Sequence, residues 1–317
     1  MANLPTAARD ATSAVSVQLD ALISQRLAAR ALVLAASRRV SADSSGIKSS
    51  RFRGRGVDYV ESRAYQPGDD IRSMDWRVTA RTGRPHTKMF QEERERSVLV
   101  VLDYNPSMRF GTRVRFKSVQ AARAAALVAW SAVRGGDRVG AVGYGGGVTG
   151  EVRPAGGPRG ALRCLRSLVD WDAIARDTGA SAPLSEGLQR TLRLARPGSL
   201  IILVTDGFSA DESVQAPLTR LATHCDVRVL MPTDALELAA PPRGRYTFSI
   251  GGARRQFAFG DAAHDGAWVD AFKRRRALLA DQARKLGIAI LSLDTRDELS
   301  RSLAPLGLAL AARRGAA

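Results

Sequence analysis

Four residues of this sequence combine side-chain oxygens with a spacing that suits one hard cation. Asp103-Tyr-Asn105-Pro-Ser107 sets such oxygens at i, i+2 and i+4, directly after the apolar run Ser-Val-Leu-Val-Val-Leu. A loop leaving a strand can turn these three side chains toward one point. Asp206 closes a second apolar run, Ser-Leu-Ile-Ile-Leu-Val-Thr-Asp-Gly (199–207), and could add a fourth oxygen. Mg²⁺ or Mn²⁺ takes oxygen ligands and tolerates retained water. With so few carboxylates, the ion would stay electrophilic toward a carboxylate of a partner. The same residues also have a structural reading: Asp103 can cap a helix or hold a loop, and Asp206-Gly207 can form an ordinary turn.

The elements that must position these groups follow from hydrophobic period. Short β-branched runs ending in acids (97–104 and 199–207) read as buried parallel strands, as do 138–147, 226–233 and 288–295. Helical spacing marks Phe116–Val133, Arg159–Trp171, Leu184–Ala195, Val214–His224, Trp268–Leu286 and a last helix. Hairpins are expected at 148–157 and Tyr246–Phe259. Alternating strands and helices imply right-handed crossovers and an α/β fold with helices on both faces of a parallel sheet. Ligands of such sheets bind beyond the carboxyl ends of the strands, where Asp103 and Asp206 fall. Upstream, residues 1–40 read as an amphipathic helix carrying Val15, Leu19, Leu22 and Ile23 on one face. Residues 41–96 read as a Ser-rich loop and a small β-rich arm dense in Arg and Asp, leaving 97–317 for the sheet domain.

Composition narrows the classes. The 317 residues carry 48 Lys and Arg against 31 Asp and Glu, a formal charge of +17 that favours acidic partners and polyanions. Aromatic residues are only 6%, thin for a protein that stacks bases of single strands. Cys164 and Cys225 lack CxxC spacing and a nearby His cluster, which argues against zinc and for reduced thiols in a cytoplasmic protein. The first residues lack the pattern of a signal peptide, and Leu19–Ala36, the best apolar window, is broken by Arg26 and Arg30. No membrane span is expected.

The order of these elements, with Asp103-x-Asn105-x-Ser107 after one strand and Thr205-Asp206-Gly207 after another, resembles a von Willebrand factor A domain. That resemblance implies a metal-ion-dependent adhesion site, with Asn105 standing where the family carries a serine. It also implies a threonine ligand from a later loop, for which Thr178 or Ser181 is available. A longer signature lies upstream: Arg63-x-Tyr65-x-Pro67-Gly68-Asp69-Asp70-x-Arg72-x-x-Asp75-Trp76-x-x-x-x-Arg81. It resembles the signature of the DUF58 family, and the likeness spans roughly 44–210. Arg63, Arg72 and Arg81 offer planar forks suited to Asp69, Asp70 and Asp75, and Trp76 is expected to anchor the arm on a core.

The resemblance implies a non-enzymatic adaptor that acts with a MoxR-type AAA+ ATPase on an acidic client protein, gripping an acidic residue through the metal. A second reading is a basic nucleic-acid or anionic-surface binder, using Arg51-Phe-Arg53-Gly-Arg55, Arg243–Arg245, Arg254-Arg255 and Lys273–Arg276. No helix-turn-helix, RRM signature or zinc finger accompanies those patches, so no specific nucleic acid is expected. A metal-dependent hydrolase built on Asp103 and Asp206 would lack a general base, since His86, His224 and His264 lie in unrelated contexts.

Overall fold

The computed structural model describes residues 13–34, 57–66, 69, 71–92, 95–250, 253–303 and 308–309. The chain divides into two compact units, Ser45–Glu95 and the combination of Met1–Ser44 with Arg96–Ala317. In chain order the first elements are α1 (Leu19–Ala28), β1 (Val33–Leu34), β2 (Val57–Ala64), α2 (Trp76–Thr82) and β3 (His86–Glu92). Then come β4 (Ser97–Asp103), α3 (Lys117–Arg134), β5 (Arg138–Tyr144), β6 (Glu151–Ala155), α4 (Gly157–Asp177), α5 (Leu184–Leu194) and β7 (Leu200–Val204). The remainder is α6 (Gln215–His224), β8 (Asp226–Thr233), α7 (Ala235–Leu238), β9 (Gly244–Ile250), β10 (Ala253–Phe259), α8 (Ala262–Leu286), β11 (Ala289–Asp294), α9 (Leu299–Ser302) and β12 (Leu308–Ala309).

The expected α/β architecture is what the larger unit adopts. Its sheet has six strands in the order β11-β8-β7-β4-β5-β6, all pairs parallel except the antiparallel β5–β6 edge. Successive strand side chains point to opposite faces, and in β4 both rows are apolar. Val98, Val100 and Leu102 join one core with residues of α1, α3 and α4. Leu99 and Val101 join another with residues of α5, α6 and α8. Alanines crowd α3, and Ala121, Ala122, Ala124, Ala125, Ala126, Ala129 and Ala132 are all buried. Their small size lets the helix lie close to its neighbours.

Several expectations shift in detail. The N-terminal apolar stripe is carried by Leu22, Ala29 and Leu32, which are buried, whereas Val15 and Ile23 are exposed. Trp130 on α3 donates its indole N–H to the Leu22 carbonyl (3.2 Å). Residues 1–12 and 35–56, including the Arg51–Arg55 cluster, lie outside the described residues. Helix α8 starts at Ala262 rather than Trp268, because Asp261 caps it, its carboxylate accepting the His264 N–H. The last helix is the four-residue α9, and after it β12 pairs antiparallel with β1. The β9–β10 hairpin forms as expected, its aromatic face of Phe248, Phe257 and Phe259 packed on Trp268.

In the smaller unit β2 and β3 form an antiparallel pair whose register shifts between Tyr59 and Glu61. Arg63 pairs with Asp69 at 2.7 Å, as the signature suggested. The Gln66 N–H and the Arg63 guanidinium hold the Asp69 carboxyl below its ordinary range. Asp75 departs from the expected ion pairing. It is the N-cap of α2, accepting from the N–H groups of Arg77 and Val78, and it also takes the Ser62 hydroxyl at 2.7 Å. Its pKa is lowered, chiefly by those bonds from Ser62 and Val78. Trp76 begins α2 with 66% of its surface exposed, so it is not a core anchor. Arg72 and Arg81 are exposed, and the Tyr65 N–H donates to the Pro85 carbonyl. Pro67, Gly68 and Asp70 lie outside the described residues.

Candidate functional site at the carboxyl edge of the sheet

Asp103 ends β4 and is almost completely buried. One carboxylate oxygen, Oδ2, accepts three hydroxyls: Thr205 at 2.7 Å, Tyr144 at 2.8 Å and Ser209 at 3.0 Å. The other, Oδ1, accepts the Asn105 N–H at 2.8 Å. Tyr144 is placed by sheet register, since it ends β5 directly opposite Asp103. Burial, and then the negative charge of Asp206, raise the Asp103 pKa to about 6 despite those bonds. Burial and the Asp103 charge push the Tyr144 phenol well above its ordinary value, so it stays a hydroxyl donor.

Asn105 is a clamp. Its side-chain oxygen accepts the Ala182 N–H at 2.8 Å and its amide nitrogen donates to the Ala182 carbonyl at 3.0 Å. The loop after β4 is thereby fastened to the segment entering α5. Gly145 lies against this amide with φ +77°, and a Cβ there would come within 2.6 Å of the Asn105 side chain. Ser107 sits half-buried in the turn Pro106–Met108. Thr178 is exposed at the end of α4, its hydroxyl 2.6 Å from the Gly146 carbonyl and 3.0 Å from that of Ile174. Ser181 is also exposed.

Asp206 is fully buried, and its Oδ1 accepts the Phe208 N–H at 3.0 Å. Its Oδ2 meets a residue the sequence did not single out, Lys117. The ammonium of Lys117, at the first position of α3, lies 2.8 Å from Asp206 Oδ2 and 2.6 Å from Glu237 Oε1. Lys117 is itself fully buried. Arg276 of α8 pairs with the second oxygen of Glu237. Phe208 completes the enclosure, with Lys117 Nζ 4.8 Å from its ring centre and the Arg276 guanidinium 5.6 Å away. Beside this group Asp234 and Glu237 form a capping box on α7. Asp234 also accepts the N–H and hydroxyl of Thr112 and the hydroxyl of Thr295, and these bonds hold its pKa below the ordinary value against the cost of burial.

Sequence reasoning therefore found Asp103, Asn105 and Asp206 but missed Tyr144, Ser209, Lys117, Glu237 and Arg276. One local signal was present: Asp234-Ala-Leu-Glu237 has the spacing of a capping box. As arranged, the donors do not fit a divalent cation. Both oxygens of Asp103 and the amide of Asn105 are committed to protein partners, and Asp206 faces an ammonium. Among the described residues no group of three or more His, Cys, Asp or Glu could hold a metal ion.

A family model described as "Protein of unknown function DUF58" matches residues 61–265. The chain belongs to the DUF58 family. This DUF58 chain is 29% identical over 276 residues to an uncharacterized protein of Mycobacterium tuberculosis, with 86% of each chain covered. An uncharacterized protein of Mycobacterium bovis matches to the same extent. Among solved structures, the conserved hypothetical protein BatB from Bacteroides thetaiotaomicron is similar with a TM-score of 0.43 and 14% identity. That match covers 67% of the DUF58 chain and 96% of BatB. Among the described residues of the DUF58 chain, no helix is long and apolar enough to cross a membrane.

Proposed function

We propose that this DUF58 protein is a non-enzymatic interaction adaptor built on a von Willebrand A-type sheet. In this reading it works in the cytoplasm with a MoxR-type AAA+ ATPase, and the carboxyl edge of the sheet receives an acidic protein. The observation that supports it most is the inward commitment of the edge's polar groups. Asp103, Asn105 and Asp234 each fasten a loop as well, at Ser209, Ala182 and Thr112 respectively. The edge is thus a shaped rim rather than a set of reactive groups waiting for substrate, and preorganised loops favour binding by lowering the cost of ordering. Outward from that rim stand Pro106, Arg113 and Val114, all exposed.

The net charge of +17 suits an acidic partner, because opposite fields speed encounter and fix orientation. The histidines give no support to acid–base catalysis at the rim. His86 lies in β3, His224 ends α6, and His264 lies in the first turn of α8 paired with Asp261. The ATPase enters this reading from the family resemblance. Its test is a binding titration of the full chain against a purified MoxR-type ATPase, beside the double variant Arg113→Glu/Val114→Asp. Both side chains are exposed, so the fold should survive. The reading expects affinity to fall by about tenfold or more, roughly 1.4 kcal/mol. Equal affinity of the two proteins, or no association of the unaltered chain with or without ATP, overturns it.

A further inference from the structure

We infer that Lys117 is the resident cation of this edge: its ammonium holds Asp206 and Glu237 together, and the protein works there without a divalent metal. The inference stands apart from the adaptor reading, because it concerns only what neutralises these acids.

Three observations carry it. The first is geometry. One ammonium bridges two carboxylates at 2.8 and 2.6 Å from elements far apart in sequence, the loop after β7 and helix α7. The second is charge. Asp206 and Glu237 carry two negative charges, and Lys117 and Arg276 supply two positive ones. These four groups balance among themselves, and a divalent ion inserted between the two carboxylates would have to displace the ammonium or sit beside it in a fully buried site, which is strongly unfavourable. The third is the cost of placing Lys117 where it is. The start of a helix carries a partial positive charge that repels a cation. A lysine buried completely at that position therefore needs strong compensation, and the two acids and the Phe208 ring supply it. An ammonium is also a compact charge with three donors, able to serve both carboxylates at once.

The decisive measurement is calorimetric titration of Mg²⁺ and of Mn²⁺ into the full chain and into Asp103→Ala, with melting curves recorded in either ion and in EDTA. The inference expects no saturable heat and an unchanged melting temperature. Saturable binding that disappears in Asp103→Ala overturns it. A second arm uses Lys117→Met, which keeps the unbranched stem, one atom shorter, and removes the charge. Melting should fall by about 6 °C or more, the shift expected when buried carboxylates lose their partner. Adding Glu237→Gln or Asp206→Asn to that variant should recover part of the loss. If Lys117→Met melts with the unaltered protein, the ammonium is not what holds the acids and the inference fails. If it does not fold, the titration of the unaltered chain still decides.

Discussion

Replacing Asn105 with serine separates a clamp from a metal ligand. The substitution makes the loop read Asp-x-Ser-x-Ser, the pattern of the resemblance, so a ligand role predicts little loss and a gain in Mg²⁺. The structure predicts the reverse. Asn105 is almost completely buried and makes two hydrogen bonds to the backbone of Ala182, at 2.8 and 3.0 Å. Serine is too short to make both. Each such bond contributes about 1 kcal/mol net, and a buried group left without a partner costs about 1–3 kcal/mol. Ala182 is only half-buried, so water can reach part of what is exposed. The expected loss is therefore about 2–4 kcal/mol. Asn105→Asp should cost at least as much at neutral pH, because it sets a carboxylate oxygen against the Ala182 carbonyl. Urea unfolding read by the fluorescence of Trp130 and Trp171, which lie on α3 and α4, reports the unit concerned. A loss below about 1 kcal/mol for Asn105→Ser, or stability restored by Mg²⁺, would refute the clamp.

Two further outcomes follow from the same geometry. The Asp103 carboxyl rises from 3.8 in the unfolded chain to about 6 when folded, so the native state binds the extra proton between those values. Its contribution is full below the unfolded value and is lost as pH rises through about 6, a change of about 3 kcal/mol in all. The lowered carboxyls of Asp69, Asp75, Asp234 and Asp294 act in the opposite direction, so the quantity to measure is the difference between wild type and Asp103→Asn across that range. Parallel pH profiles for the two proteins would show that Asp103 does not titrate there. Trp76→Ala should change the urea midpoint by the equivalent of about 0.5 kcal/mol or less, as befits a side chain 66% exposed. A loss above about 2 kcal/mol would mean that the ring is packed after all.

The parts of this molecule legible in its sequence are those fixed by local pattern. The apolar run of β4, and Asp103 and Asp206 at one edge, follow from strands buried on both faces. The partners of those acids do not. Lys117 heads a helix, where a charged residue ordinarily meets water, and its burial arises only when segments 89 and 120 residues away converge on it. Asn105 looked like an imperfect ligand because its partner, Ala182, is 77 residues distant and contributes only backbone. Trp76 misled for another reason. A seven-residue helix has too few positions to define an apolar face, so the size of the ring suggested burial that its position at the start of α2 does not provide.

The pairing of β1 with β12 has a consequence for the order of events during synthesis. Val33 faces Ala309 and Leu34 faces Leu308, so this ribbon joins two segments separated by most of the chain. Closing so large a loop costs little more than closing one half as long, about 0.6 kcal/mol for each doubling. Time is a different matter, since the contact has a very high sequence separation and its second strand leaves the ribosome late. The α1 segment can dock on α3 beforehand through Leu22 and Trp130. The pairing of its neighbour β1 with β12 can form only once residues 308 and 309 emerge.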